Sequence, residues 1–239
     1  MDVENNLMIK KITLEKEKID DFNIYPFNID IIKNFDELNF DTSVTFLVGE
    51  NGTGKSTFIE AVAVALGLPA EGGTENFNYE TKNTTSQLSE YIRIARYNKP
   101  KTKFFLRAES FYNFSTEVEN IGMEYCYGGS LHECSHGESF MQLIQNRFTE
   151  KGLYILDEPE AALSPQRQLS LLCLIDQLSK EGSQFIIATH SPILISYRNG
   201  KILDLNQNFK EVKYEDTAIY SLYKMYLDDP YEMQRRLFD

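Results

Sequence analysis

Between Gly49 and Thr57 the chain reads GENGTGKST, which sets Gly49, Gly54, Lys55 and Ser56 in the pattern G-x-x-x-x-G-K-[ST]. That spacing suits a polyphosphate. Glycines let successive backbone N–H groups turn toward one anion without Cβ clashes, and a following helix adds the positive end of its dipole. The rest of the loop, Asn51, Gly52, Thr53 and Thr57, belongs to the same candidate cradle. Lys55 is expected to reach the β- and γ-phosphates of a nucleotide, and the Ser56 hydroxyl to ligate magnesium.

Further on, LYILDEPE ends an apolar run in Asp157 and Glu158, two carboxylates at the edge of a sheet where open α/β folds bind ligands. Asp157 suits magnesium, directly or through water, because that ion takes hard oxygen ligands. Glu158 suits a general base that orients and deprotonates an attacking water. One crossover beyond, the apolar run 185–188 ends in Thr189, His190, Ser191 and Pro192, which places His190 to contact a γ-phosphate. Before LYILDEPE, Ser135 and Glu138 form an S-x-x-E capping box, and with Gly137 they present hydroxyl and backbone donors at a helix N-terminus.

These groups need a scaffold of strands followed by helices. VTFLV at 44–48 reads as a buried strand, and 58–66 carries the Ala and apolar residues of a buried helix. Segments 7–14 and 22–32 read as β-rich, with Pro26 at a bend or edge, and form a small antiparallel lobe. Residues 67–85 should be an irregular surface excursion near the phosphate site, or a plain connection. Then 87–97 reads as helix, 103–107 as a buried strand, 111–127 as mixed, and Gly-Gly-Ser at 128–130 as a turn. Pro165 fits the first turn of a helix with apolar Leu169, Leu172, Leu174, Ile175 and Leu178. Short strands are expected at 202–205 and 211–214, then a helix over 218–227 whose Tyr220, Tyr223 and Tyr226 pack as core, and a last amphipathic helix.

A chain of 239 residues, 42% hydrophobic, can fold as one unit spanning 1–239. With 24 basic and 36 acidic residues, the formal net charge is −12, which opposes unassisted binding to nucleic acid or anionic lipid, although a local basic patch would still permit it. The apolar runs are too short to span a bilayer and the N-terminus lacks the order of a signal peptide, so a cytoplasmic location is expected. Cys126, Cys134 and Cys173 are odd in number and lack C-x-x-C spacing, which points to reduced thiols rather than a disulfide or zinc framework.

Four motifs now stand in order: the P-loop GENGTGKST, CSHGE at 134–138, LYILDEPE, and IIATHSPIL around His190. In this order the chain resembles the ABC-type ATPases, in the soluble branch with the SMC and RecF proteins, over about residues 7–205. More closely, it is similar to a group of short bacterial ATPases with SLHE-SHGESF and DEPEAALSPQRQ, the latter also similar to RecF-like proteins and OLD-type nucleases. The fold implied is α/β, a P-loop NTPase of ABC type. It has a central, mostly parallel sheet flanked by helices, a small antiparallel β lobe and a helical signature subregion at about 86–150.

The resemblance also implies ATP and Mg2+ as ligands and a head-to-tail homodimer that sandwiches two ATP molecules. Ser135 and Gly137, with Glu138 in the same signature, would then meet a γ-phosphate across the interface, and hydrolysis would open the dimer and act on an effector protein. A glutamine that joins the magnesium shell in such ATPases is matched here by Glu109, with Gln87 a weaker candidate. His136, Glu138 and Ser164 depart from the usual Gly, Gln and Asp, which predicts slow turnover. No heptads supply coiled-coil arms, so the expectation is a head without arms. A DNA-maintenance or defence role, a transporter's nucleotide-binding subunit, and a slow regulatory ATP-binding module are the readings to separate; a nuclease lacks its extra acidic cluster.

Overall fold

The computed structural model describes residues 7–74, 86–120, 122 and 135–238. The late part of the expected excursion (75–85), the turn at 128–130, Cys126 and Cys134 lie outside the described residues, as does the side chain of His136.

In chain order the main elements are β1 (Ile9–Leu14), α1 (Asp30–Asn34), β2 (Glu37–Asn39), β3 (Val44–Val48), α2 (Lys55–Ala65), β4 (Ile92–Arg96) and β5 (Thr102–Arg107). They are followed by α3 (Phe111–Asn120), α4 (His136–Arg147), β6 (Gly152–Asp157), α5 (Pro165–Lys180) and β7 (Gln184–Ala188). The chain then gives α6 (Pro192–Ile195), β8 (Lys201–Asp204), β9 (Lys210–Val212), α7 (Ala218–Asp228) and α8 (Pro230–Phe238).

Six strands form the central sheet in the order β5-β6-β7-β3-β8-β9, parallel except for the antiparallel edge strand β9. A separate antiparallel sheet of three strands, β2-β1-β4, supplies the small β lobe. This is the expected α/β architecture. Strands β3, β6 and β7 are buried at every residue, as a sheet covered on both faces requires.

Alternation along these strands builds two cores. Leu47, Ile155, Ile186 and Ala188 pack with Phe58, Ile59 and Val62 of α2 and with the β lobe. Phe46, Tyr154, Leu156 and Phe185 pack on the other face with Phe140 and Ile144 of α4 and Leu171 and Ile175 of α5. The two sheets are joined by a buried amide: Gln184 Oε1 accepts from the N–H groups of Met8 and Ile9 at 2.9 and 2.8 Å.

Several expectations are corrected. Segment 22–32 is not β-rich: it is a run of turns leading into α1, and the lobe's other strands are β2 and β4. Residues 87–97 are not one helix. After a short 3-10 turn at Gln87–Tyr91, Ile92 and Ile94 alternate along β4 and pair with β1, so cross-strand burial overrides local helix propensity. The helical subregion therefore begins only at α3, since 92–107 belongs to sheets. In α5 the buried residues include Leu171 rather than Leu169, which is exposed. The α7 tyrosines are not core: no residue of α7 is buried, and Tyr223 and Tyr226 are exposed.

Candidate functional site

The phosphate loop links the C-terminal end of β3 to α2. Gly52 and Gly54 have φ of 79° and 96°, the left-handed region that glycine occupies at least cost. At Gly54 a Cβ would also sit 2.8 Å from Ile29 Cγ2, so this turn is closed to larger residues. Gly54 caps α2 without any side-chain hydrogen bond, leaving the helix N-terminus to an external acceptor.

Asn51, Gly52, Gly54, Lys55, Ser56 and Thr57 line a pocket of about 320 Å³ together with Tyr25, Ile29 and Glu158. Thr53 sits on the loop's outer side, its hydroxyl donating to the Glu50 carbonyl at 2.9 Å. Lys55 is buried, and its ammonium donates to the carbonyls of Gly49 and Glu50 at 2.8 and 2.9 Å. Burial pushes the Lys55 pKa down, against the opposing pull of Glu158 and Asp157.

The register of the parallel sheet brings the other groups to the same edge. Leu47 pairs with Ala188, and Asp157 with both Ala188 and Arg107. The Ser56 hydroxyl donates to Asp157 Oδ1 at 3.2 Å. Two cis oxygens on an octahedral magnesium with bonds of roughly 2.1 Å stand about 3 Å apart, so Ser56 and Asp157 fit that ion as a hard-oxygen pair. Among the described residues no group of three or more His, Cys, Asp or Glu could hold a metal, so further oxygens would come from phosphate and water. Asp157 is nearly fully buried, and burial pushes its pKa up to about 6 despite the Arg107 guanidinium beside it.

Glu158 follows β6 with φ 50°, a strained value for a non-glycine residue, and its N–H donates to the Ala188 carbonyl at 2.9 Å. Its Oε1 lies 3.7 Å from His190 Nε2. Burial, then the nearby Lys55 charge, push the His190 pKa down, so the imidazole is neutral near pH 7. His190 Nε2 is buried with no hydrogen-bond partner among the described residues, an orphaned polar atom beside the phosphate loop.

Glu109 lines a second pocket of about 320 Å³ with Ser56, Arg107, Asp157 and Glu158, its side chain exposed. Gln87 lies in the 3-10 turn after Ser86 and lines neither pocket.

Ser135, Gly137 and Glu138 line neither pocket. They form the expected capping box at α4, in which the Ser135 N–H and hydroxyl both donate to Glu138 Oε2, at 3.0 and 2.7 Å. Arg167 of α5 pairs with Glu138 Oε1 at 2.9 Å. These contacts, the Ser135 bonds first, hold the Glu138 pKa below its usual value. A Cβ at Gly137 would meet the Ala162 carbonyl at 2.9 Å and Arg167 at 2.8 Å, so this glycine also serves close packing of α4 on its own chain.

Three residues outside the motifs, Arg107, Glu60 and Tyr25, enter the site, and Glu160 of LYILDEPE takes a part there that the motif reading does not assign. Glu160 accepts from the Thr189 hydroxyl at 2.7 Å and the His190 N–H at 2.5 Å, tying the DEPE turn to the histidine loop; burial pushes its pKa up. Arg107 and Glu60 form an ion pair of 2.8 Å beside Asp157. Tyr25, exposed, places its hydroxyl 3.4 Å from Thr57 Oγ1. The i+4 spacing of Ser56 and Glu60 on α2 is the sequence signal that could have found Glu60, and membership of LYILDEPE the one for Glu160.

The profile of the family described as "AAA domain, putative AbiEii toxin, Type IV TA system" matches residues 141–196. The chain is 26% identical over 153 residues to the zinc import ATP-binding protein ZnuC of Vibrio vulnificus, covering 61% of this chain and 57% of that protein. It is 25% identical over 182 residues to the energy-coupling factor transporter ATP-binding protein EcfA2 of Mesomycoplasma hyopneumoniae, covering 60% of each. The chain thus spans less than two thirds of these relatives. Among solved structures, the SMC head domain from Thermotoga maritima is similar, with a TM-score of 0.44 and 16% identity over 82% of this chain and 94% of that one. No helix among the described residues is long and apolar enough to cross a membrane.

Proposed function

We propose that the chain binds and hydrolyses ATP with magnesium. The observation that carries this reading is the convergence of Lys55, Ser56, Asp157, Glu158 and His190 around pockets that share Ser56 and Glu158. The similarity to ATP-binding proteins adds support.

The glycine loop would hold the β-phosphate on backbone N–H groups, and Lys55 would leave its two carbonyls for the phosphate oxygens. Ser56 and Asp157 would hold the magnesium ion, which when bound would supply positive charge to the triphosphate. Glu158 accepts a proton from a water attacking the γ-phosphorus, the bond to the bridging oxygen breaks, and ADP leaves. Neutral His190, with Nε2 unpartnered, can donate to a γ-phosphate oxygen, and Glu160 fixes its backbone. Exposed Tyr25 offers a stacking face to the base. Glu109, which lines the pocket with Ser56 and Asp157, would serve in the outer magnesium shell. Release of phosphate from ATP tests the reading: the wild-type protein should release it and Glu158→Gln should not, while both bind nucleotide.

Ser135, Gly137 and Glu138 lie outside the cis pockets, and this supports a second copy as their phosphate's source: a head-to-tail dimer formed around ATP. The family description naming a type IV toxin–antitoxin system supports a switch in defence; DNA maintenance, a cytoplasmic location and an effector protein are further parts of the proposal. A second reading rests on the names of the transport relatives and makes the chain a transporter's ATP-binding subunit. A membrane partner that copurifies stoichiometrically would favour it.

A further inference from the structure

The acidic side of the site carries a cation that the motifs do not account for. Arg107 ends β5 directly across from Asp157 on β6, and its side chain is mostly buried. Its Nε lies 3.1 Å from Asp157 Oδ2 and 3.9 Å from Glu109 Oε2, while Nη1 donates to Glu60 Oε2 at 2.8 Å. The Asp157 contact is close in distance but off-axis, so Nε has charge contact without a satisfied hydrogen bond among the described residues. The firm bond is the one to Glu60, whose side chain is also mostly buried.

The two oxygens of Asp157 therefore face different partners. Oδ1 turns to Ser56, the side on which magnesium fits, and Oδ2 turns to Arg107. Around this point stand four carboxylates, Glu60, Glu109, Asp157 and Glu158, and Lys55 is held on loop carbonyls. These carboxylates do not form a metal cage by themselves, but without Arg107 their charge would favour a divalent cation at Ser56 and Asp157, with water completing its shell. A guanidinium cannot be deprotonated and cannot leave, so it supplies the counter-charge permanently.

We propose that Arg107 is the resident counter-cation of Asp157 and makes metal loading depend on nucleotide, an inference that rests on the ATP–magnesium reading above. In the nucleotide-free protein its charge repels a divalent ion from Ser56 and Asp157. When a triphosphate arrives, its own negative charge offsets that repulsion, and Arg107 retains its firm bond to Glu60. Arg107 is thus a positioning residue that sets the order of loading.

Electron spin resonance titration of Mn2+ into the nucleotide-free protein tests this. Wild type and Arg107→Lys should bind Mn2+ weakly, and Arg107→Gln at least about tenfold more tightly, because one positive charge has gone from a poorly solvated site. A folded Arg107→Gln protein with wild-type Mn2+ affinity would overturn the inference. Should Arg107→Gln not fold, Glu60→Gln decides: with its competitor removed, Arg107 closes on Asp157, and Mn2+ should bind the ATP-loaded protein at least about threefold more weakly. Unchanged affinity there would equally overturn it. Binding of a fluorescent ATP in EDTA, measured on the same samples, separates the two claims. Absence of nucleotide binding in the wild type sinks the ATP reading, whereas binding with equal Mn2+ affinities sinks only the role of Arg107.

Discussion

At the start of α2, Gly54 caps the helix with no side chain and the turn opens on a pocket; at the start of α4, Ser135 spends its N–H and hydroxyl on Glu138. Both are helix N-termini introduced by short, glycine-containing sequences. The first leaves its donors for a ligand and gathers Lys55, Ser56, Asp157, Glu158 and His190 within one chain. The second ties its N-cap residue Ser135 to Glu138 and lines neither pocket. An open cap leaves its donors to water or to an anion, which suits a ligand site, whereas a capping box stabilises the helix whether or not a ligand exists. A phosphate that reaches α4 must displace Glu138 or share its donors, and Arg167 is already placed to hold the displaced carboxylate.

The largest expected effects lie at the open end. Glu158→Gln should lower phosphate release by on the order of 10³ while nucleotide affinity stays near wild type, because only proton acceptance is lost. Equal losses in binding and turnover would instead make Glu158 part of the cradle. Lys55→Met should weaken ATP binding by about 10- to 100-fold in calorimetry, the value of charge-assisted bonds to phosphate. Next comes the tie between the two strand ends: Glu160→Ala, which frees Thr189 and the His190 N–H, should reduce kcat about tenfold with KM nearly unchanged, since it moves a transition-state contact and not the cradle.

Acidity sharpens the same contrast through stability. Asp157 titrates at about 6 in the fold against 3.8 ordinarily, so the fold favours its protonated form. The nucleotide-free protein should therefore carry this advantage in full below about pH 4 and lose it as pH rises through about 6. Asp157→Asn should then raise unfolding stability at pH 8 by about 2 to 3 kcal/mol and leave it nearly unchanged at pH 4, read from denaturant melts. The smallest effect is expected at the closed end: Glu138→Gln should leave ATP affinity of the monomer within about twofold of wild type, because Glu138 lines no cis pocket. A larger change would bring α4 into the cis site and dissolve the contrast.

What could be read from the chain follows contiguity. The phosphate loop, the DEPE carboxylates and the histidine each sit where one strand turns into the next segment, so apolar run and polar terminus appear side by side in sequence. Arg107 has no such mark, and Glu160, although it lies within DEPE, has none for its tie to the histidine loop. Arg107 matters because β5 pairs in register with β6, and Glu160 because its turn folds back on Thr189. Both depend on pairings that linear spacing does not encode. The misplaced elements have the same origin: Ile92 and Ile94 look like part of a helix until β1 offers a partner, and the tyrosines of α7 suggest core until the fold leaves that helix on the surface.

The most direct measurement is the solution mass of the Glu158→Gln protein by light scattering, with magnesium and ATP and without. A single chain holds one complete cradle and one detached capping box, so the mass should double on ATP, and replacement of Ser135 by a bulky residue should abolish the doubling while ATP still binds. A protein that binds ATP yet keeps the monomer mass would contradict the assignment of Ser135–Glu138 to a second copy's phosphate, and leave α4 with its structural role alone.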